Sequence, residues 1–223
     1  MWPVRCVFAH EVCVNLPTVE HPERIATKSD QTRQRILDAA AVILARDGYR
    51  RAKMSDIAAL SKTHPGGIYY YFSSREELIE QVVLSASGHF LEAAHAALDA
   101  CAADARPLER LSVAIRAGLG IILSDDGYTQ AYLRVYKELP DAVRARLKPL
   151  VNAYHALWRQ LIEDAQRVGD IRADLDPGIV RMLILGAITW SREWFRQDKG
   201  SIEQIANHAI AICLDGLTPR LGA

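Results

Sequence analysis

The chain has 223 residues, half of them hydrophobic, which is enough for one large domain or two small ones around a sizeable core. Aromatics are few while Ala, Leu and Ile are plentiful, a composition that favours helices over sheet. A formal net charge of zero argues against a nucleic-acid partner, but the distribution argues for one: Arg24 to Arg75 carries ten Lys/Arg against four Asp, a net of +6 set on a body of −6.

Residues 1–28 hold three prolines and no clear period, and are expected to form an extension with little fixed structure. From Asp30 the pattern turns helical, with Ile36, Leu37, Ala40, Ile43 and Leu44 at three- and four-residue spacing. Asp47-Gly48 is the expected stop, Gly48 suiting the left-handed position after a helix. Two short helices follow, at about 54–60 with Ile57 and Leu60 inward, and at about 65–71 with Pro65 in the first turn. Ser74 with Glu77 three residues on predicts a capping box and a long fourth helix to about Ala100. After a break at 103–107, further helices are predicted at about 107–123, 127–138, 141–168, 176–197 and 202–215. Pro107, Pro140 and Pro177 sit near starts, and Gly169-Asp170 and Lys199-Gly200 near stops. No strand or internal repeat stands out. The expectation is an all-α chain: a three-helix unit with a helix-turn-helix over 29–74, then a six-helix unit over 75–217.

On a short helix laid in the major groove, the first turn and one face meet the DNA. Gly66 and Gly67 remove bulk there, and Tyr69 and Tyr70 offer hydroxyls and flat faces to sugar, phosphate or a thymine methyl. Arg75 at the next helix start is expected to reach a phosphate, and Lys53 and Ser55 open a helix whose N-terminal N–H groups favour one. Tyr71 stands between DNA contact and packing, and Phe72 is assigned to the core. His64 is either a cap with a solvated ring or a base or phosphate contact.

The set Asp47-Gly48, Asp56-Ile57-Ala58, Ile68 to Phe72 and Arg75 to Leu78 resembles the TetR family of bacterial transcriptional regulators, over roughly Gln31 to Leu84. Three positions depart from that pattern: Lys62 stands where a turn Gly is usual, His64 where a Ser or Thr caps, and Lys53 where a Thr is common. The resemblance implies a homodimer on the last two helices, about 176–217, binding a pseudo-palindromic operator. It also implies a cavity in the middle helices whose filling releases DNA. The stretch from Ala156 to Leu217 resembles the branch that senses acyl-CoA thioesters in fatty-acid or sterol breakdown.

For that cavity the large aromatics are the candidates. Tyr128, Tyr132 and Tyr136 share a face, as do Trp190 and Trp194, with Trp158 between them in the chain. Such stripes serve equally as core or dimer interface. Arg134 and Arg192 lie near them, suited to phosphates or a carboxylate if buried. His89, Glu92 and His95 spread over about 120° of a helix, so all three could ligate one metal only at a stretch, and no nucleophile, metal-water or phosphate-loop motif occurs, so neither metal nor cofactor is expected. Cys6, Cys13, Cys101 and Cys213 form no C-x-x-C pair, which fits reduced thiols in a cytoplasmic protein. No apolar run approaches a membrane span, and Arg5, His10 and Glu11 interrupt any signal-peptide core. A ligand-responsive repressor is the leading reading. An all-helical enzyme acting on an acyl chain, and an architectural DNA-binding protein without an effector, are the alternatives.

Overall fold

A computed structural model describes residues 27–124, 126–196, 198 and 200–217. Among these, nine α-helices and one short 3-10 turn account for the regular structure. The extension expected over 1–28 lies outside the described residues up to position 26. Thr27 then starts α1 (Lys28–Arg51): its hydroxyl accepts the Asp30 N–H at 3.1 Å, and the Asp30 carboxylate accepts the Thr27 N–H at 3.0 Å. Ile36, Leu37, Ala40, Ile43 and Leu44 form its buried stripe. At Gly48 the backbone swings to φ +77°, so the expected stop is a kink, and one more turn runs to Arg51.

α2 (Met54–Leu60) and α3 (Pro65–Tyr71) are joined by a Schellman turn. Lys62 donates its N–H to the Ala59 carbonyl at 3.2 Å, and Thr63 donates to the Ala58 carbonyl at 2.8 Å. This geometry puts Lys62 at φ +54°, in the left-handed region. The departure from the usual Gly is thus absorbed as strain at one residue, and the turn is kept. Ile57 and Ala58 point inward with Ile68 and Phe72, while Leu60, expected inward, is half exposed. Leu60 closes α2 on the side away from Ile57 and Ala58, which face the core.

α4 (Arg75–Asp99) is capped by Ser74, whose hydroxyl accepts the Glu77 N–H at 3.0 Å. Glu77 closes the other half of the expected box on Ser73, accepting its N–H at 2.6 Å, and these bonds hold the Glu77 carboxyl below its usual range. The first residue of α4 folds back over α1. Arg75 Nε donates to the Ala52 carbonyl at 3.2 Å, a second guanidinium nitrogen donates to the Tyr49 carbonyl, and the group lies 4.9 Å from the centre of the Tyr49 ring. A cation therefore satisfies carbonyls that the end of α1 leaves open.

The body comprises α5 (Pro107–Ile122), α6 (Gly127–Val135) with its 3-10 extension Tyr136–Glu138, α7 (Asp141–Arg167), α8 (Pro177–Trp194) and α9 (Ile202–Asp215). Prolines open α3, α5 and α8, where a missing N–H costs nothing. Side-chain oxygens of Asp126, Asp176 and Ser201 cap α6, α8 and α9.

Two apolar clusters result. The first joins α1, α2, α3 and the start of α4 to Ala131, Val135, Leu139, Val143 and Leu147, so the α6–α7 corner is built into the head. The second gathers α5, the later part of α7, α8 and α9 around Trp158 and Ile162. Tyr132 touches both. Residue 74 thus marks a helix start, and apolar packing runs across it.

Lys62→Gly is expected to raise stability by about 0.5–1 kcal/mol, as relief of the left-handed strain outweighs the entropy of Gly in the unfolded chain; a thermal melt checks it. Arg75→Ala is expected to cost about 1.5–3 kcal/mol in urea unfolding, because two helix-end carbonyls lose a charged donor.

Candidate functional site

The open side of the head is formed by α3. Gly66, Tyr69 and Tyr70 fall on one exposed face at three- and four-residue spacing, with Tyr70 81% exposed, while Ile68 and Phe72 fix the opposite face in the core. Tyr71 is half-buried against the first cluster, its ring edge-on to Tyr70 at 5.0 Å. The sequence left Tyr71 open between two roles, and its packing role is visible. Gly67 is half-buried, and His64 Nδ1 accepts its N–H at 2.9 Å. His64 therefore caps α3, with its ring exposed. A Cβ on Gly67 would lie 2.8 Å from a Thr63 methyl and 3.2 Å from the His64 ring, so this cap requires glycine there.

Lys53 occupies the cap position of α2 with its side chain exposed and unbonded to that helix end. Ser55 is exposed in the first turn, 3.3 Å from the Asp56 carboxylate. Lys53, Ser55, His64, Gly66, Tyr69 and Tyr70 are therefore on the exposed surface of the two-helix unit. Arg75 is apart from them in kind: it is mostly buried and its guanidinium is committed to Tyr49 and Ala52.

In the body, α4, α5, α6, α7 and α8 line a mainly apolar cavity of about 160 Å³. Phe90, Leu133, Leu150, Val151, Leu185 and Ile188 supply its apolar wall. Ser87, Tyr132, Tyr154, His155 and Thr189 supply polar atoms. Tyr132 lies between Phe90 and Tyr136 at ring distances of 5.4 and 5.0 Å, and burial raises its hydroxyl pKa well above the usual range. Burial pushes the Tyr154 hydroxyl up to about 12. Burial, then the nearby Arg181 charge, lower the pKa of His155 and favour its neutral ring. Beside this cavity, and sharing Ile122 with it, is a more open cleft of about 420 Å³ carrying Gln130, Arg192 and Arg196.

The other expected ligand residues scatter around this centre. Trp158 is wholly buried behind Tyr154, at 6.1 Å between ring centres. Tyr136 stacks on Tyr132 from outside the lining. Tyr128 faces the head: its hydroxyl donates to Asp38 at 2.8 Å and accepts from Gln34 at 2.9 Å, and burial, then Asp38, raise its pKa. Arg134 lies over Gly48 of α1, away from the cavity. Trp190 and Trp194 line neither space; they are exposed with Ile179, Met182 and Leu183 on α8 and Ile212 on α9. Sequence reasoning missed Phe90, Tyr154, His155 and Arg196. The available signal was Tyr154 with Trp158, four residues apart on α7.

Among the described residues no group of three or more His, Cys, Asp and Glu could hold a metal. His89 is exposed, its ring 6.2 Å from that of Tyr128. Cys101 and Cys213 are free thiols, and no described helix is long and apolar enough to cross a membrane.

Two family models match the chain: "Bacterial regulatory proteins, tetR family" over residues 36–82 and "Tetracyclin repressor-like, C-terminal domain" over residues 104–217. The HTH-type transcriptional repressor KstR2 of Mycobacterium tuberculosis (strain ATCC 25618 / H37Rv) is 25% identical over 199 residues, covering 88% of this chain and 98% of that one. The structure of AibR in complex with isovaleryl coenzyme A and operator DNA superimposes with a TM-score of 0.75 at 23% identity, over 82% of this chain and 98% of that one. FadR of Bacillus subtilis in complex with stearoyl-CoA gives 0.68 at 20% identity, over 82% and 98%. With its exposed helix-turn-helix and its cavity-bearing helical body, the chain belongs to the TetR family of bacterial transcription regulators.

Proposed function

We propose that the protein is a cytoplasmic homodimeric repressor whose hold on a pseudo-palindromic operator is released by an acyl-CoA thioester. The observation that carries the effector reading is a pair of neighbouring spaces with Ile122 in both walls, an apolar cavity and a cleft with Arg192 and Arg196. An acyl chain suits the first, and the phosphates of a nucleotide carrier suit the second. The cavity is small, which favours short acyl groups. KstR2 is named as a repressor, and AibR and FadR were crystallised with coenzyme A thioesters, which supports the same reading here.

DNA would be read by the Tyr69–Tyr70 face of α3, with Lys53, Ser55 and the exposed His64 ring beside it. The exposed apolar face of α8 and α9 supports pairing of two copies there. A two-fold dimer then sets its two α3 helices about one DNA turn apart, roughly 34 Å. For release, the ligand must bind better to an arrangement that mis-spaces them. Two elements offer a path. α4 runs from the Arg75 clamp to Ser87 and Phe90 at the cavity, and α6 carries Tyr132 at the cavity and Tyr128 on α1.

Tyr70→Ala is expected to weaken binding to operator DNA, selected from a random duplex pool by the wild-type protein, by tenfold or more, about 1.4 kcal/mol. Its melting temperature should not change, and unchanged affinity would remove Tyr70 from the DNA face. In thermal-shift screening, a thioester at one hundred times its dissociation constant should add about 2.7 kcal/mol. Arg192→Ala with Arg196→Ala should abolish most of that gain while leaving the response to the free fatty acid unchanged.

A further inference from the structure

The donors and acceptors around the cavity do not balance. Ser87 spends its hydroxyl proton on the Val83 carbonyl at 2.8 Å, and Thr189 spends its own on the Leu185 carbonyl at 2.8 Å. Tyr132 has Ser87 beside its hydroxyl. Tyr154 has no such neighbour: the side chain beside its oxygen is Trp158, itself a donor. Trp158 Nε1 is wholly buried and has no hydrogen-bond partner among the described residues. Two donors, one of them sealed from solvent, therefore meet at the cavity wall, and among the described residues no acceptor takes the Tyr154 proton. An unpaired donor on a mainly apolar wall rewards a ligand that brings an acceptor.

We propose that Tyr154, supported from behind by Trp158, is a specificity-determining residue that donates a hydrogen bond to a neutral carbonyl oxygen of the effector. The acceptor is neutral because, among the described residues, no Lys or Arg lines this cavity. The surroundings that raise the Tyr154 hydroxyl and lower the His155 ring also penalise a buried carboxylate. This rests on the cavity being the effector site. The carbonyl can be that of the thioester itself or a ketone on the acyl group.

The test uses the full chain and Tyr154→Phe, which removes one oxygen and keeps the ring. Two probe sets are titrated, with affinity by calorimetry and the Trp158 indole N–H followed by nuclear magnetic resonance. One set is cyclohexanone against methylenecyclohexane. The other is butyryl-CoA, acetoacetyl-CoA and the thioether S-butyl-CoA. Cyclohexanone should bind about five- to tenfold more tightly than its hydrocarbon counterpart, and Tyr154→Phe should erase the difference. A similar loss with butyryl-CoA but not S-butyl-CoA assigns the thioester carbonyl. A loss confined to acetoacetyl-CoA assigns the acyl ketone. Equal losses for carbonyl compounds and their carbonyl-free counterparts would mean that Tyr154 only packs, and would overturn the proposal. Discrimination of the ketone with no thioester bound upholds Tyr154 and removes the thioester reading. Thioester binding untouched by the substitution does the reverse. Absence of binding by every probe overturns both.

Discussion

The packing of α6 on α1 is the contact on which the rest of the molecule depends. α6 is only nine residues long, yet it serves both apolar clusters. Ala131 and Val135 are fully buried in the head, and Tyr128 reaches Asp38 and Gln34 of α1. On the other side Tyr132 and Leu133 face the cavity. One long helix and two of seven residues bury too little surface alone, so the head borrows its core from the body. The helix that completes the head therefore also forms part of the cavity wall.

The second constraint is the junction at Arg75. Its guanidinium closes the end of α1 from the first residue of α4, so two helices share one charged group. A residue at this place in the sequence looks like an arm for phosphate. In the fold its guanidinium is held by the Ala52 and Tyr49 carbonyls and lies over the Tyr49 ring, which ties the start of α4 to the end of α1.

Much of the fold was legible because its signals are local. Apolar spacing in α1, prolines at the starts of α3, α5 and α8, and Gly48 and Gly169 near stops all act within a turn or two of chain. At the start of α4 the expected Ser74 cap is kept, and only the second half of the box moves, with Glu77 pairing to Ser73. The exposed face of α3 was legible for the same reason, since Gly66, Tyr69 and Tyr70 need only helical spacing to share a side. The cavity was harder. Its wall is drawn from five helices separated by up to about a hundred residues, and aromatic spacing cannot tell which neighbour a stripe meets. Thus Tyr128, Tyr132 and Tyr136 share one face in the sequence but diverge in the fold, to α1, to the cavity and behind it. Trp190 and Trp194 turned outward because α8 keeps a second apolar face beyond the one that packs on α5 and α7.

That outward face carries a consequence for how the protein behaves in a cell. Leu183, Trp190 and Ile212 expose most of their surface on the single chain. Covering them with a second copy makes folding and pairing one equilibrium, so stability becomes a function of concentration. A regulator built this way measures its own abundance. At low copy number part of its affinity for DNA is spent on bringing two chains together, and occupancy rises more steeply than in proportion to the amount made.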